Sequence, residues 1–277
     1  MLDLVKRLAA DEDISATLEE LDDERTGLVL EPLRWALLAR KLGRPYKAIV
    51  LEQVPAVLPV WAAMREALEA IGYKADHGIL HTEEFGVPQT RRRAILIARL
   101  DSRPHLPRPT HQRFRRGPVR TLEDAVLRPW ETMGSALDRP VPFTVISNYG
   151  TGGDPKARGR RTSDEPSATV TGKVRRNRLE GPGSVPSDRF THAEAGRLQT
   201  FPKDYPWSGN DIAQQIGNAI PPRLAAHVLA AALGIPLSSD ALDAALRSPW
   251  VGPDASCTCP PPPSTDDSRV TAASAAC

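Results

Sequence analysis

A short apolar run rich in branched residues, Lys47-Ala-Ile-Val-Leu51, ends on a carboxylate at Glu52. Such a run reads as a buried parallel strand, which needs neighbours on both sides and helices over its faces. The flanking sequence supplies candidates. Trp61 to Ile71 predicts a helix stopped by Gly72, and His77-Gly-Ile-Leu80 and Ala94-Ile-Leu-Ile-Ala98 predict two further strands around the loop Phe85-Gly-Val-Pro-Gln89. Strand, helix, strand pair is an α/β pattern. Upstream, Leu2 to Leu21 predicts an amphipathic, acidic helix. A second helix is expected from Arg25 to Leu42, with Leu28, Leu33, Trp35, Leu37 and Leu38 as its apolar face and Gly43 ending it. Pro32 must then sit near the first turn or kink the helix.

From Arg99 to Asp188 the texture changes to proline, arginine and glycine, with two weak strands, Phe143-Thr-Val-Ile146 and Ala168-Thr-Val-Thr171. Gly150-Thr-Gly-Gly153 reads as a phosphate cradle or, more simply, a flexible turn. Residues 99–190 hold 18 basic and 10 acidic side chains, while the segments on either side are each net negative and the whole chain is only +2. A basic middle between acidic ends fits a segment that meets a polyanion, or a solvated arginine-rich loop. Order then returns. Thr191-His-Ala-Glu194 makes a capping box, with Phe190 placed to staple onto Ala195, and that helix stops before Pro202. Pro221 and Pro222 open a last helix that Gly234 closes. Beyond Pro236, serine, alanine, aspartate and a four-proline run predict a disordered tail.

The longest apolar run, Leu224 to Leu237, is interrupted by His227 and is shorter than the roughly 18 residues a membrane span needs. With no signal-like N-terminus, the expectation is a cytoplasmic protein with no membrane partner. The three cysteines, Cys257, Cys259 and Cys277, all fall in the tail. They exclude a disulfide framework for the body, and Cys257-Thr-Cys259 lacks the nearby ligands a structural metal site needs.

Glu52 lies where α/β folds place their ligands, at a strand's carboxyl end, although caps and surface ion pairs also put glutamates there. Gln89, Arg91 and Arg93 alternate, so a strand start would set an amide and two guanidiniums on one face; an exposed basic strand end is the plainer alternative. Arg92 would point the other way. Taken together, Glu52-Gln-Val-Pro55, Val87-Pro-Gln-Thr-Arg-Arg-Arg93, Phe190 to Pro202 and Gln215-Ile-Gly-Asn-Ala-Ile-Pro-Pro222 occur in the order found in DNA (cytosine-5) methyltransferases, and the chain resembles that family from about Asp22 to Gly234. Asp164-Glu-Pro-Ser-Ala-Thr-Val-Thr171 is similar to part of the family's target recognition domain.

The resemblance implies the C-terminal part of a Rossmann-like α/β methyltransferase sheet plus a small, loop-rich target recognition domain. It divides the chain into 1–100 for the catalytic part, 101–188 for recognition, 189–236 for closing helices and 237–277 for a disordered tail. In that chemistry a cytosine is flipped from double-stranded DNA into a pocket. A cysteine thiolate attacks C6, so that C5 can take the methyl of S-adenosylmethionine. The resemblance gives Glu52 the contact to N3 and the exocyclic amine, which calls for a dry pocket. It gives Arg93 the hold on O2, Arg91 the support of the thiolate side and Gln89 the seating of base or loop. Asn218 and Ala219 would lie against the methyl donor. Arg113, Arg115, Arg116, Thr169, Thr171, Arg175, Arg176 and Arg178 would meet DNA. Two departures stand out. Gln53 replaces the family's usual asparagine, and nothing before Glu52 matches the glycine-rich cofactor loop or the Pro-Cys dipeptide. The expectation is a partial or split enzyme that needs an N-terminal methyltransferase subunit or segment. The alternatives are a non-catalytic DNA-binding protein and a decayed fragment.

Overall fold

A computed structural model describes residues 1–20, 24–117, 126–147, 154, 158–181, 188–250 and 252. The first half is built around a three-stranded sheet of β1 (Ala48–Gln53), β2 (Lys74–His81) and β3 (Arg92–Arg99), in the order β1-β3-β2. Both outer strands run antiparallel to β3, with Glu52 opposite Ile95 and Leu80 opposite Arg93. The expected parallel pairing of β1 is therefore corrected. β1 and β2 do run the same way, joined across α4 (Leu58–Ala70), but β3 returns directly from β2 and inserts between them. That insertion reverses the pairing. β1 is left at the sheet's edge, and of its six residues only Leu51 is buried.

One face of the sheet packs Leu51, Ala94, Leu96 and Ala98 against Trp61, Met64 and Leu68 of α4, with α1 (Leu2–Ala9) and α3 (Glu24–Lys41) completing the layer. The other face packs Ile95, Ile97 and Leu80 against Leu224, Val228 and Ala232 of α8 (Pro222–Leu233). The expected helix from Leu2 to Leu21 is two helices, because the chain takes a left-handed turn at Asp11 (φ 61°) before α2 (Ser15–Glu20) begins. α3 starts at Glu24, which puts Pro32 in mid-helix, where it forfeits the bond to the carbonyl of Leu28. Its expected apolar face is also different: Leu30, Leu33 and Ala36 are buried, whereas Leu28, Trp35 and Leu38 are more than half exposed.

A second core gathers Met133 of α5 (Met133–Ala136), Phe143, Val145 of β4 (Thr144–Ile146), Val170, Leu179 of β6 (Arg178–Glu180), Phe190, Leu198 and Ile216. β4 is the centre of a small antiparallel sheet between β5 (Arg160–Thr162) and β6. α6 (His192–Leu198) carries the predicted capping box, with Thr191 accepting from the Glu194 amide and Glu194 accepting from the Thr191 amide. Phe190 and Ala195 are buried in the same core. Gly234 ends α8 at φ 68°, as its position predicts. The stretch after Pro236 is not wholly without structure: α9 (Ser239–Arg247) is capped by the Ser238 hydroxyl and held by Asp240 and Asp243. The Gly150–Gly153 turn and the three cysteines lie outside the described residues. Among the described residues no helix is long and apolar enough to cross a membrane, and no group of three or more His, Cys, Asp or Glu is placed to hold a metal.

Candidate active site

The alternation at the start of β3 is realised. Gln89 and Arg91 are buried, Arg93 is half-buried, and Arg92 faces out. Arg93 Nε lies 2.5 Å from Glu52 Oε1, an ion pair formed because the two side chains rise from adjacent strands on the same face of the sheet. Burial pulls Arg93 below the ordinary arginine value, and Glu52 opposes that shift. Arg93 Nη1 donates to the Arg92 carbonyl. Among the described residues no hydrogen bond is made to Glu52 Oε2 or by Arg93 Nη2.

Gln89 and Arg91 work differently. Both reach across to Val170: the Val170 amide donates to Gln89 Oε1 at 2.7 Å, and Arg91 Nη1 donates to the Val170 carbonyl at 2.8 Å. Two side chains thus take the place of a neighbouring strand for this residue. That is why Ala168 to Thr171, expected as a strand, forms no ladder; beside it Ser167 makes an isolated parallel bridge with Gln89, and the Thr169 hydroxyl donates to the Thr90 carbonyl. Arg91 Nη2 donates to the Gly217 carbonyl at 2.8 Å, at the end of α7 (Ile212–Asn218). Gln89 Nε2 reaches Gln199 and the Leu198 carbonyl, and the Gln199 amide in turn donates to the Ile216 carbonyl. With both Nη groups bound to carbonyls, Arg91 ties three segments together. Burial, and then repulsion from Arg93, lowers its pKa to about 10, still far above neutrality, so it keeps its charge.

The sequence reading did not identify three parts of this junction. Thr82 is fully buried, its hydroxyl accepting from the Arg91 amide and donating to the Gln89 carbonyl. Gln199 was visible only as one letter of the Phe190–Pro202 motif. Gly217 is required by space, since a Cβ there would collide with the Thr171–Gly172 backbone. Beside the junction, Glu83 is buried with Oε2 unpartnered, and burial raises its pKa to about 7. Its neighbour His81 meets Arg113 Nη2 at 2.9 Å; burial and then Arg113 lower its pKa to about 4.

The remaining candidates are spread out. Arg113, Arg115, Arg175 and Arg176 are exposed. Arg116 is held by Glu165 at 2.8 Å, so it is engaged within the chain. Arg178 is half-buried at the start of β6. Thr169 and Thr171 are exposed, the Thr169 hydroxyl donating to the Thr90 carbonyl and that of Thr171 accepting from the Lys173 amide. Asn218 is exposed, with its Oδ1 accepting from Gln214 at 2.6 Å, and Ala219 is half-buried.

The family model for C-5 cytosine-specific DNA methylases matches residues 17–126 and 126–233. Type II methyltransferase M1.HphI of Haemophilus parahaemolyticus is 29% identical over 245 residues, which cover 76% of this chain and 62% of that protein. Type II methyltransferase M.HindV of Haemophilus influenzae is 33% identical over 172 residues, covering 58% and 52%. The chain thus spans only a little over half the length of these relatives. In structure it is similar to the Entamoeba histolytica methyltransferase EhMeth, with a TM-score of 0.50 at 16% identity, over 80% of this chain and 72% of that one. The match from residue 17 to residue 233 takes in Glu52, the Gln89–Arg93 alternation and the Gly217 turn, and the chain belongs to the C-5 cytosine-specific DNA methylase family.

Proposed function

We propose that this chain is the base-holding and DNA-reading part of a DNA cytosine-5 methyltransferase, acting with a separate portion that carries the nucleophilic cysteine and the first cofactor loop. The observation that supports it best is the Glu52–Arg93 pair, which presents an acceptor and a donor together at the end of β1 and β3. A cytosine edge offers the matching groups: the exocyclic amine donates to Glu52, and O2 accepts from Arg93. As a sulfur–C6 bond forms, the ring's electron density moves toward N3 and O2. A proton brought into the pocket on the Glu52 carboxyl then passes to N3, and Arg93 meets the charge growing on O2.

Gln89, Arg91 and Gln199 hold the Val170 segment and α7 against β3, so that the recognition region, within 101–188, stays fixed relative to Glu52. The closing helices of 189–236 complete the junction. The exposed Arg113, Arg115, Arg175 and Arg176 are the DNA contacts this reading favours, with Arg116 and Arg178 serving structure. S-adenosylmethionine would supply the methyl group. Asn218 and Ala219 offer it one open wall, and the rest of its pocket would come from the partner portion.

The test is methyl transfer to cytosine in duplex DNA, measured for the chain alone and with the polypeptide encoded directly upstream of it. Transfer is expected only with both, and Glu52→Gln should lower turnover by about 10²–10⁴-fold while leaving DNA affinity unchanged. An equal rate from the chain alone would remove the need for a partner. The absence of any cysteine before Cys257 favours a second reading, a DNA-binding protein without catalysis. That reading expects sequence-preferring binding and no transfer under either condition.

A further inference from the structure

Arg223, in the first turn of α8, has a side chain only 2% exposed, and its hydrogen bonding is incomplete. Nη1 donates to Asp243 Oδ1 at 2.5 Å, whereas neither Nε nor Nη2 has a partner among the described residues. Those two nitrogens share one edge of the guanidinium, the parallel pair of donors that a carboxylate accepts bidentately. A buried donor without an acceptor is destabilising. The group is also held in place: a Cβ at Gly86 would lie 2.9 Å from its Nε and Cζ.

Arg223 lines two cavities, of about 310 and 410 Å³, which also share Thr200, Phe201 and Leu246 and so form one cleft. The first is polar and cationic, with Arg197, Arg223 and Arg247 against Glu131 and Asp243. Asp243 is already bound by Arg223 and Arg128, and Glu131 accepts from the Ser135 hydroxyl. The Arg247 side chain has no partner among the described residues. The second is apolar, walled by Phe201, Tyr205, Trp250, Leu242 and Leu246, with Thr200 and Arg223 as its polar lining residues. α9 supplies one wall of both, and it lies beyond residue 233, where the family match ends.

We propose that this cleft is a binding site for a small aromatic carboxylic acid. Its carboxylate lies on Nε and Nη2 of Arg223, and its ring fills the apolar end beside Phe201, Trp250 and Leu246. Apolar enclosure with a few fixed polar groups is the usual construction of a small-molecule site. The two ends select the ligand class. A buried fork of donors calls for an oxyanion, and the apolar end offers little to the polar edge of a nucleobase. Neither Glu52 nor Arg93 lines the cleft, and the proposal does not rest on DNA methylation.

The experiment titrates the full chain with 2-naphthoate by calorimetry and follows amide exchange of α9. Expected are one-to-one binding, slower exchange of the 239–247 amides, and affinity at least about ten-fold weaker for naphthalene-2-carboxamide and for acetate. Arg223→Lys keeps the charge but loses the fork, and should weaken naphthoate on the order of ten-fold or more. Thermal unfolding checks that this variant folds. Leu246→Trp leaves Arg223 in place, fills the apolar end and should abolish naphthoate binding, which keeps the test decisive if Arg223→Lys does not fold. No binding at millimolar naphthoate overturns the site. Equal affinity for the carboxamide, or naphthoate binding that a folded Arg223→Lys or Leu246→Trp chain leaves unchanged, overturns the assigned contacts. Tighter binding of a deoxynucleoside monophosphate than of naphthoate overturns the ligand class.

Discussion

At the start of β3, polar groups carried into the interior meet partners from distant parts of the chain: Gln89 binds Val170 and Gln199, and Arg91 binds Val170 and Gly217 through both Nη groups. At β1, one strand away, the outer edge faces no described strand and the neighbouring helix turns Trp35 and Leu38 to solvent. The first margin is closed by long-range hydrogen bonds within the chain. The second has the apolar composition of an interior without a covering layer. A buried polar group without its partner costs more than an exposed apolar one, so the stability of this chain should depend on the closed margin and its association on the open one.

Arg91→Met tests the closed margin most severely. It removes two charge-assisted hydrogen bonds and leaves the Val170 and Gly217 carbonyls without that donor. A loss of about 3 kcal/mol or more in urea unfolding is expected. A loss below about 1 kcal/mol would mean that the junction is not what holds the two cores together.

The next effect is on pH. Burial lowers His81, His111 and His227 to about 4, with nearby arginines adding to the shift, while burial raises Glu83 to about 7. Each histidine contributes stability above its unfolded value near 6.5 that is lost as the pH falls toward 4. Glu83 acts in the opposite sense: its contribution is full below about 4.5 and is lost as the pH rises through 7. The histidines outnumber it, so stability should fall by about 2 kcal/mol between pH 6.5 and 5.5. Glu83→Gln should steepen that fall. A flat profile, or a gain in stability on acidification, would show that these groups are not buried in solution.

Gln89→Leu comes third. It keeps the volume but leaves the Val170 amide without its acceptor, for an expected cost of about 1–3 kcal/mol and faster exchange of that amide. No change in either would locate the strength of the junction in Arg91 alone.

These residues show what the sequence could and could not reveal. The alternation of Gln89, Arg91 and Arg93 was legible because strand period is local, and so was the Glu52 position at a strand end. Val170 was not legible as their partner. It lies about eighty positions away, and its own segment looked like a strand because it carries strand-forming residues. The direction of β1 was hidden for a similar reason, since it depends on where β3 inserts. α3 was found, but its burial was misjudged: with apolar residues on both sides, periodicity alone does not say which side is covered. α9 was missed because serine and proline around it suggested disorder. Its signals, the Ser238 cap and two aspartates spaced to meet Arg128 and Arg223, need tertiary partners to be recognised.

The smallest expected effect belongs to the open margin. Trp35→Glu replaces a large apolar side chain that is 57% exposed, so the stability of the isolated chain should change by no more than about 0.5 kcal/mol. A substitution of this kind would be severe in any covered helix face, because it would bury a charge without a partner. The measurement therefore reads coverage directly. A near-zero change in urea unfolding means that the stripe is open in the free chain. A loss comparable to that of Gln89→Leu would mean that something in the chain already covers it, and the difference between the two margins would be one of composition alone.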